Sequence, residues 1–127
     1  VRKRERIKYV GDLVAKYQSV LNLDEWNIEY YLMDRDIDDE VNVTTYADTI
    51  ILPEYLTCSM RIYPSFFRKI QKLRADTIAH ELAHCHTQVL FNMAKDLTRG
   101  ISHAMCDISD AHELLTQRMA NLALRSK

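Results

Sequence analysis

Charge of one sign, regularly spaced cysteines and long apolar runs are all missing from this chain, and each absence removes a class of function. A formal charge of −1 over 127 residues leaves no field that would gather a polyanion. The one basic cluster, RKRERIK at Arg2 to Lys8, lies at an end of the chain, where the solvated start of a helix is the plainer reading, so no nucleic-acid partner is expected. No apolar run approaches the ~20 residues of a membrane span, and no charged-then-apolar leader precedes the first helical stretch, so no membrane partner is expected either. Cys58, Cys85 and Cys106 are an odd number without metal-type spacing, a pattern that suits reduced thiols better than a disulfide framework. The expected setting is therefore the cytoplasm. Internal repeats, low-complexity tracts and linkers are absent too, and a length of 127 residues with 47% hydrophobic and 28% charged side chains describes one globular domain able to bury a core.

What is present is a change of period along the chain. Val10, Leu13, Val14, Tyr17, Val20 and Leu21 recur at helical spacing, which predicts a helix over about residues 4–21. NIEYYLM from Asn27 is rich in strand formers, and VNVTTYADTIIL, ending at Leu52, repeats that signature. Between them DRDIDDE, Asp34 to Glu40, lacks the glycine and twelfth-position glutamate of a calcium loop, so a solvated hairpin loop is expected. TCSMRIY, Thr57 to Tyr63, offers one more strand between Pro53 and Pro64, giving three or four short strands. Ser65 is then the expected cap of a helix running from Phe66 to about residue 94, with a weak point near residues 74–76. A loop around Gly100 leads to a last helix, capped by Asp107 or Ser109 and reaching Leu124, with Ile108, Leu115, Met119 and Leu122 on its buried side. The sum is a compact α+β domain: helix, small sheet, long helix, final helix.

The long helix carries HELAH, His80 to His84. Composition alone yields His-Glu-any-any-His about once in a hundred such chains, which makes the pattern specific enough to organise the reading. A helix turns about 100° per residue, so side chains four apart project from one face, and His80 and His84 can reach one ion. Zinc accepts neutral imidazoles and, in catalytic sites, a third protein ligand with one position left open. Glu81, one step round, can serve as general base toward water. Ile78, Leu82, Cys85 and Val89 fall on the opposite side, leaving Thr77, His80, Glu81, His84 and Gln88 to line a cleft; His86 points elsewhere and is not expected to bind metal. On the last helix His112 sits within the apolar arc and Glu113 at its edge, and either can face the long helix. Asp110 competes by proximity, although a first-turn acid is explained by the helix dipole. Ala120, small, and Gln117, polar, would let the two helices approach at that face.

DTIAHELAHCHTQVL followed by DISDAHELLTQRMANLAL resembles the zincin metallopeptidases of the gluzincin type, most of all the small metallopeptidase-like proteins of phages and prophages and the minimal gluzincins, over most of the chain. The resemblance implies a minimal zincin-like domain in which one zinc ion is held by His80, His84 and Glu113, with Glu81 as general base. It also implies a protein or peptide substrate laid along an edge strand, for which TCSMRIY is the matching segment, and a bacterial cytoplasm if the gene is phage-borne. The metzincin continuation is ruled out, because Thr87 and Leu90 stand where glycine and histidine would be needed. No transition-state donor sits in a recognisable motif; His103, Tyr46 and Tyr63 are the candidates. The rival expectation, from a different class, is a metal-stabilised binding or regulatory module that cleaves nothing, since so small a domain has little material for substrate selection.

Overall fold

A computed structural model describes residues 2–37, 44–98 and 102–125, the first four of the last stretch as backbone only. Three helices and three strands follow in the order α1 (Arg2–Val20), β1 (Asn27–Leu32), β2 (Ala47–Leu52), β3 (Thr57–Ile62), α2 (Gln71–Leu97) and α3 (Ser102–Arg125). The fold is α+β, as the periodicities predict. The loop expected over Asp34 to Glu40 is described only as far as residue 37, and the loop expected around Gly100 falls partly on residues 99–101, outside the described residues.

α1 buries Val10, Val14 and Tyr17, the stripe its spacing implies. Its end is set by Asn22 in the left-handed region, φ 58°. The Gln18 amide then donates to the carbonyls of Leu23 and Trp26, both at 3.0 Å, and so ties the helix end to the entry of β1. Gly11 marks a close approach, since a Cβ there would lie 2.5 Å from the Tyr30 hydroxyl of β1.

The sheet order is β1-β3-β2, with β1 parallel and β2 antiparallel to β3. Side chains alternate across a strand, so Cys58, Met60 and Ile62 of β3 face the helices, flanked by Ile28, Tyr30 and Leu32 on one side and Ile51, Thr49 and Ala47 on the other. This order corrects one expectation. TCSMRIY is the central strand, paired on both sides, and has no edge to offer a substrate; β2 is the strand that lies beside α2. The cause is the short turn at Pro53–Tyr55, closed by Leu56 in the left-handed region, which folds β2 back against β3.

The long helix also starts later than its pattern suggests. Pro64–Arg68 form a separate 3-10 turn, Lys69 and Ile70 are extended, and α2 begins at Gln71. Ser65 caps nothing with its side chain: its hydroxyl donates to the Thr45 carbonyl, while its N–H is held by Asp36 at 2.8 Å. Arg68 binds the same carboxylate, and with the Ser65 N–H it holds Asp36 below the usual carboxylate range. Ile78, Leu82 and Cys85 of α2 are buried against the sheet and α1, but Val89, expected on the same side, is 48% exposed. Contact with the Cys58 thiol, reinforced by burial, pushes the Cys85 thiol far up, so it packs as a small apolar group. α3 begins at Ser102, earlier than Asp107 or Ser109, and its buried line is Thr116, Ala120 and Ala123; Leu115 and Leu122, expected inside, are 42% and 64% exposed. Among the described residues no helix is long and apolar enough to cross a membrane.

Candidate metal centre

α2 and α3 run antiparallel, and the small and polar side chains on the buried line of α3 let them meet where HELAH lies. His80, Glu81 and His84 bring one donor atom each within 4.8 Å of one another, and His84, His112 and Glu113 form a second such group. Glu113 reaches across from α3: its Oε2 is 3.1 Å from Nε2 of His80 and its Oε1 is 3.5 Å from Nε2 of His84. A tetrahedral zinc with donors about 2.0–2.2 Å away has donor–donor edges of about 3.4 Å, and each of these two spacings is close to such an edge.

The orientation of His80 follows from its neighbours. The Gln117 amide nitrogen donates to Asp76 Oδ1 at 2.9 Å and to Asn121 Oδ1 at 3.0 Å, so its Oε1, 2.7 Å from His80 Nδ1, is the acceptor. The His80 proton therefore sits on Nδ1, and in the neutral ring the Nε2 lone pair points at the Glu113 carboxylate. Two electron-rich groups at 3.1 Å repel unless a proton or a metal cation lies between them. A hydrogen-bonded outer ring that fixes the tautomer and aims the other nitrogen at an ion is how metal-binding histidines are commonly held.

His84 is held in a comparable way from its other side. Its Nδ1 lies 3.3 Å from His112 Nε2, which is 2.9 Å from the Thr87 hydroxyl; Thr87 and Thr116, both buried, are 2.9 Å apart. The His112 ring stacks on Phe91 with centroids 4.2 Å apart. His112 thus touches the nitrogen of His84 that faces away from Glu113. Burial pushes His84 down to about 4 and lowers His112 as well, so both rings are neutral at pH 7 and each keeps one nitrogen lone pair. Asp110 is exposed and belongs to neither donor group.

Glu81 sits deeper. Burial raises its carboxyl to about 7, against the opposing pull of His80 and of the Thr49 hydroxyl, which donates to Oε2 at 3.1 Å. Thr49 occupies the helix-facing side of β2, so the strand and the base are in direct contact. A cleft of ≈ 340 Å³ lined by Asp48, Thr49, His84, Gln88 and Glu113 opens on one side of Glu81, and another of ≈ 300 Å³, lined by Tyr46, Asp76, Thr77 and His80, on the other.

The remaining sequence candidates fall outside the donor groups. His86 is exposed and its Nε2 meets the Leu21 carbonyl at the end of α1. Tyr63 is buried and donates its hydroxyl to Asp48 at 2.9 Å, whereas Tyr46 lies under the Lys69 ammonium, 3.8 Å from its ring centroid, beside His80 and Glu81. His103 lies on the first turn of α3, not in a loop, and its side chain is outside the described residues. Thr49, Asp76, Thr87 and Thr116 carried no signal in the sequence, because isolated threonines and an aspartate acquire their roles only from partners distant in the chain. Gln117 was legible only as a polar residue at the helix contact. The chain thus holds a His/Glu cluster fit for a metal ion in an α+β fold. No family model, curated protein or solved structure matches this chain, so what bears on its function is the geometry of the cluster itself.

Proposed function

We propose that the chain is a zinc-dependent metallopeptidase of the gluzincin type, with His80, His84 and Glu113 as ligands and Glu81 as general base. The observation that carries this reading is the Glu113 carboxylate facing Nε2 of both histidines while their Nδ1 atoms are engaged elsewhere. When bound, the ion would supply a Lewis acid for water and for the scissile carbonyl. Glu81, with a carboxyl near 7, takes a proton from the attacking water and passes it to the leaving amine nitrogen, so one water is consumed per peptide bond cleaved. Thr49 donates to Oε2 of Glu81, so Oε1 is the oxygen we take to receive the proton. An extended peptide would lie along β2, the edge strand that carries Thr49 and Asp48, by backbone pairing. Tyr46 is the candidate hydroxyl nearest this path, since it shares a cleft with His80 and Glu81.

Elemental analysis of purified protein, paired with cleavage of a diverse peptide library at neutral pH, tests the reading. Near-stoichiometric zinc is expected in wild type and in Glu81→Gln, with cleavage in the variant down by about 10²- to 10⁴-fold. Zinc without cleavage in wild type would replace the peptidase with the metal-stabilised module; no zinc would remove both.

A further inference from the structure

A second polar cavity, ≈ 290 Å³ in volume, opens where the first turns of α1 meet the segment leading into α2, lined by Arg2, Glu5, Arg6, Tyr9, Phe67 and Arg74. Three guanidinium groups meet one carboxylate there. None of the three takes part in an ion pair among the described residues, although the chain pairs Arg61 with Asp48 and Arg68 with Asp36. Two of them are already placed by other contacts. The Arg6 guanidinium lies 4.4 Å from the Phe67 ring centroid, and Arg74 donates through Nη2 to the Phe67 carbonyl while its Cζ sits 5.5 Å from the Tyr9 ring. Like charges gathered around one aromatic pair repel in the absence of a counter-charge.

A second, independent observation points the same way. Among the described residues, Tyr9 Oη and Arg74 Nε are the buried side-chain polar atoms without a hydrogen-bond partner, and both belong to this one lining. A guanidinium N–H can only donate, and a phenol hydroxyl donates readily, so the group that would satisfy both is an acceptor, reached by a small shift of the two side chains because both atoms lie beneath the cavity surface. Three positive charges against one negative leave two to be balanced, which matches a phosphate group, close to −2 at pH 7. Planar guanidinium forks are suited to its oxygens.

We propose that this cavity binds a phosphate group, free or as the terminal group of a small ester. It is separate from the metal centre. Arg74 precedes His80 on α2 by six residues and projects from a different face of the helix, and the two linings share no residue.

Calorimetric titration of the full chain with inorganic phosphate and with glycerol 3-phosphate, at ionic strength held constant with sodium chloride, is the test. Saturable binding is expected in wild type and equally in His84→Ala, which excludes the ion resting on the metal centre. Arg6→Gln and Arg74→Gln should each weaken it about tenfold or more, and Arg118→Gln should not. Tyr9→Phe should weaken binding while leaving the ligand-free protein no less stable, because it deletes an unsatisfied hydroxyl; a merely structural tyrosine would not split the two readouts. Tighter binding of the ester names the ester as ligand, and equal binding names the free ion. Heats no different from chloride, or binding lost in His84→Ala and kept in both arginine variants, would overturn the proposal. Should Arg74→Gln not fold, Arg6→Gln decides.

Discussion

On the side of α2 that meets the sheet and α1, Ile78, Leu82 and Cys85 are buried against Met60, Ile62 and Val10; on the side that meets α3, His80, His84 and Thr87 stand against His112, Glu113, Thr116 and Gln117. The first contact is stable by itself, because burying apolar surface needs no partner chemistry. The second gathers imidazoles and a carboxylate and buries a glutamate, whose desolvation is costly. One helix thus joins a self-sufficient apolar core to a polar seam whose side chains are fit to hold a cation. Stability and metal content should therefore be separable by which face is changed.

The largest expected effect is on the seam. Zinc at a thousandfold excess over its dissociation constant should stabilise wild type by about 4 kcal/mol, seen as a rise in melting temperature that a chelator reverses, and His84→Ala or Glu113→Ala should abolish most of that rise. His112→Ala should keep most of it, because His112 touches the far nitrogen of His84. Leu82→Ala, on the other face, should cost about 2–5 kcal/mol with or without zinc. A Leu82 variant whose deficit vanished on adding zinc would break the comparison.

Next comes the outer ring. Gln117→Leu removes the acceptor for His80 Nδ1 and should lower zinc affinity about 10- to 100-fold in chelator competition, with the fold intact by circular dichroism. Unchanged affinity would mean that the tautomer of His80 is set by something other than Gln117.

pH sharpens the comparison further. A carboxyl raised from 4.5 to about 7 makes the folded state hold more protons than the unfolded one across that window, so Glu81 erodes stability as pH rises through it. His84, lowered from 6.5 to about 4, does the opposite: stability is gained as pH rises from about 4 to 6.5. The two nearly cancel in zinc-free wild type. Glu81→Gln removes one side, so its stability should climb relative to wild type between pH 4.5 and 7, by up to about a tenfold shift in the folding equilibrium per pH unit, measured by urea unfolding in chelator. Parallel curves for the two proteins would show that Glu81 titrates as an exposed acid.

The smallest effect belongs to neither face. His86 meets the carbonyl at the end of α1, so His86→Ala should cost about 1 kcal/mol and leave zinc content untouched. A loss of metal in that variant would mean that the helix faces are misassigned.

The sequence by itself determined the α+β class, the three helices, and the face of α2 that carries His80, Glu81 and His84, because helical period and strand alternation are local properties that any neighbour must accept. It also put His112 within the apolar arc of the last helix and Glu113 at that arc's edge, either able to face the long helix. Tertiary structure decided the rest. Whether β3 is central or at the edge depends on which strands pair with it, which no single strand records. That α3 turns Thr116, Ala120 and Ala123 inward, and leaves Leu115 and Leu122 in solvent, follows from how closely it must approach α2 for Glu113 to reach both histidines. The tautomer of His80 rests on Asp76 and Gln117, and the elevation of Glu81 on burial, which outweighs the hydrogen bond from Thr49. Protonation and pairing depend on what lies across a gap in space, and a chain read in order does not contain that distance.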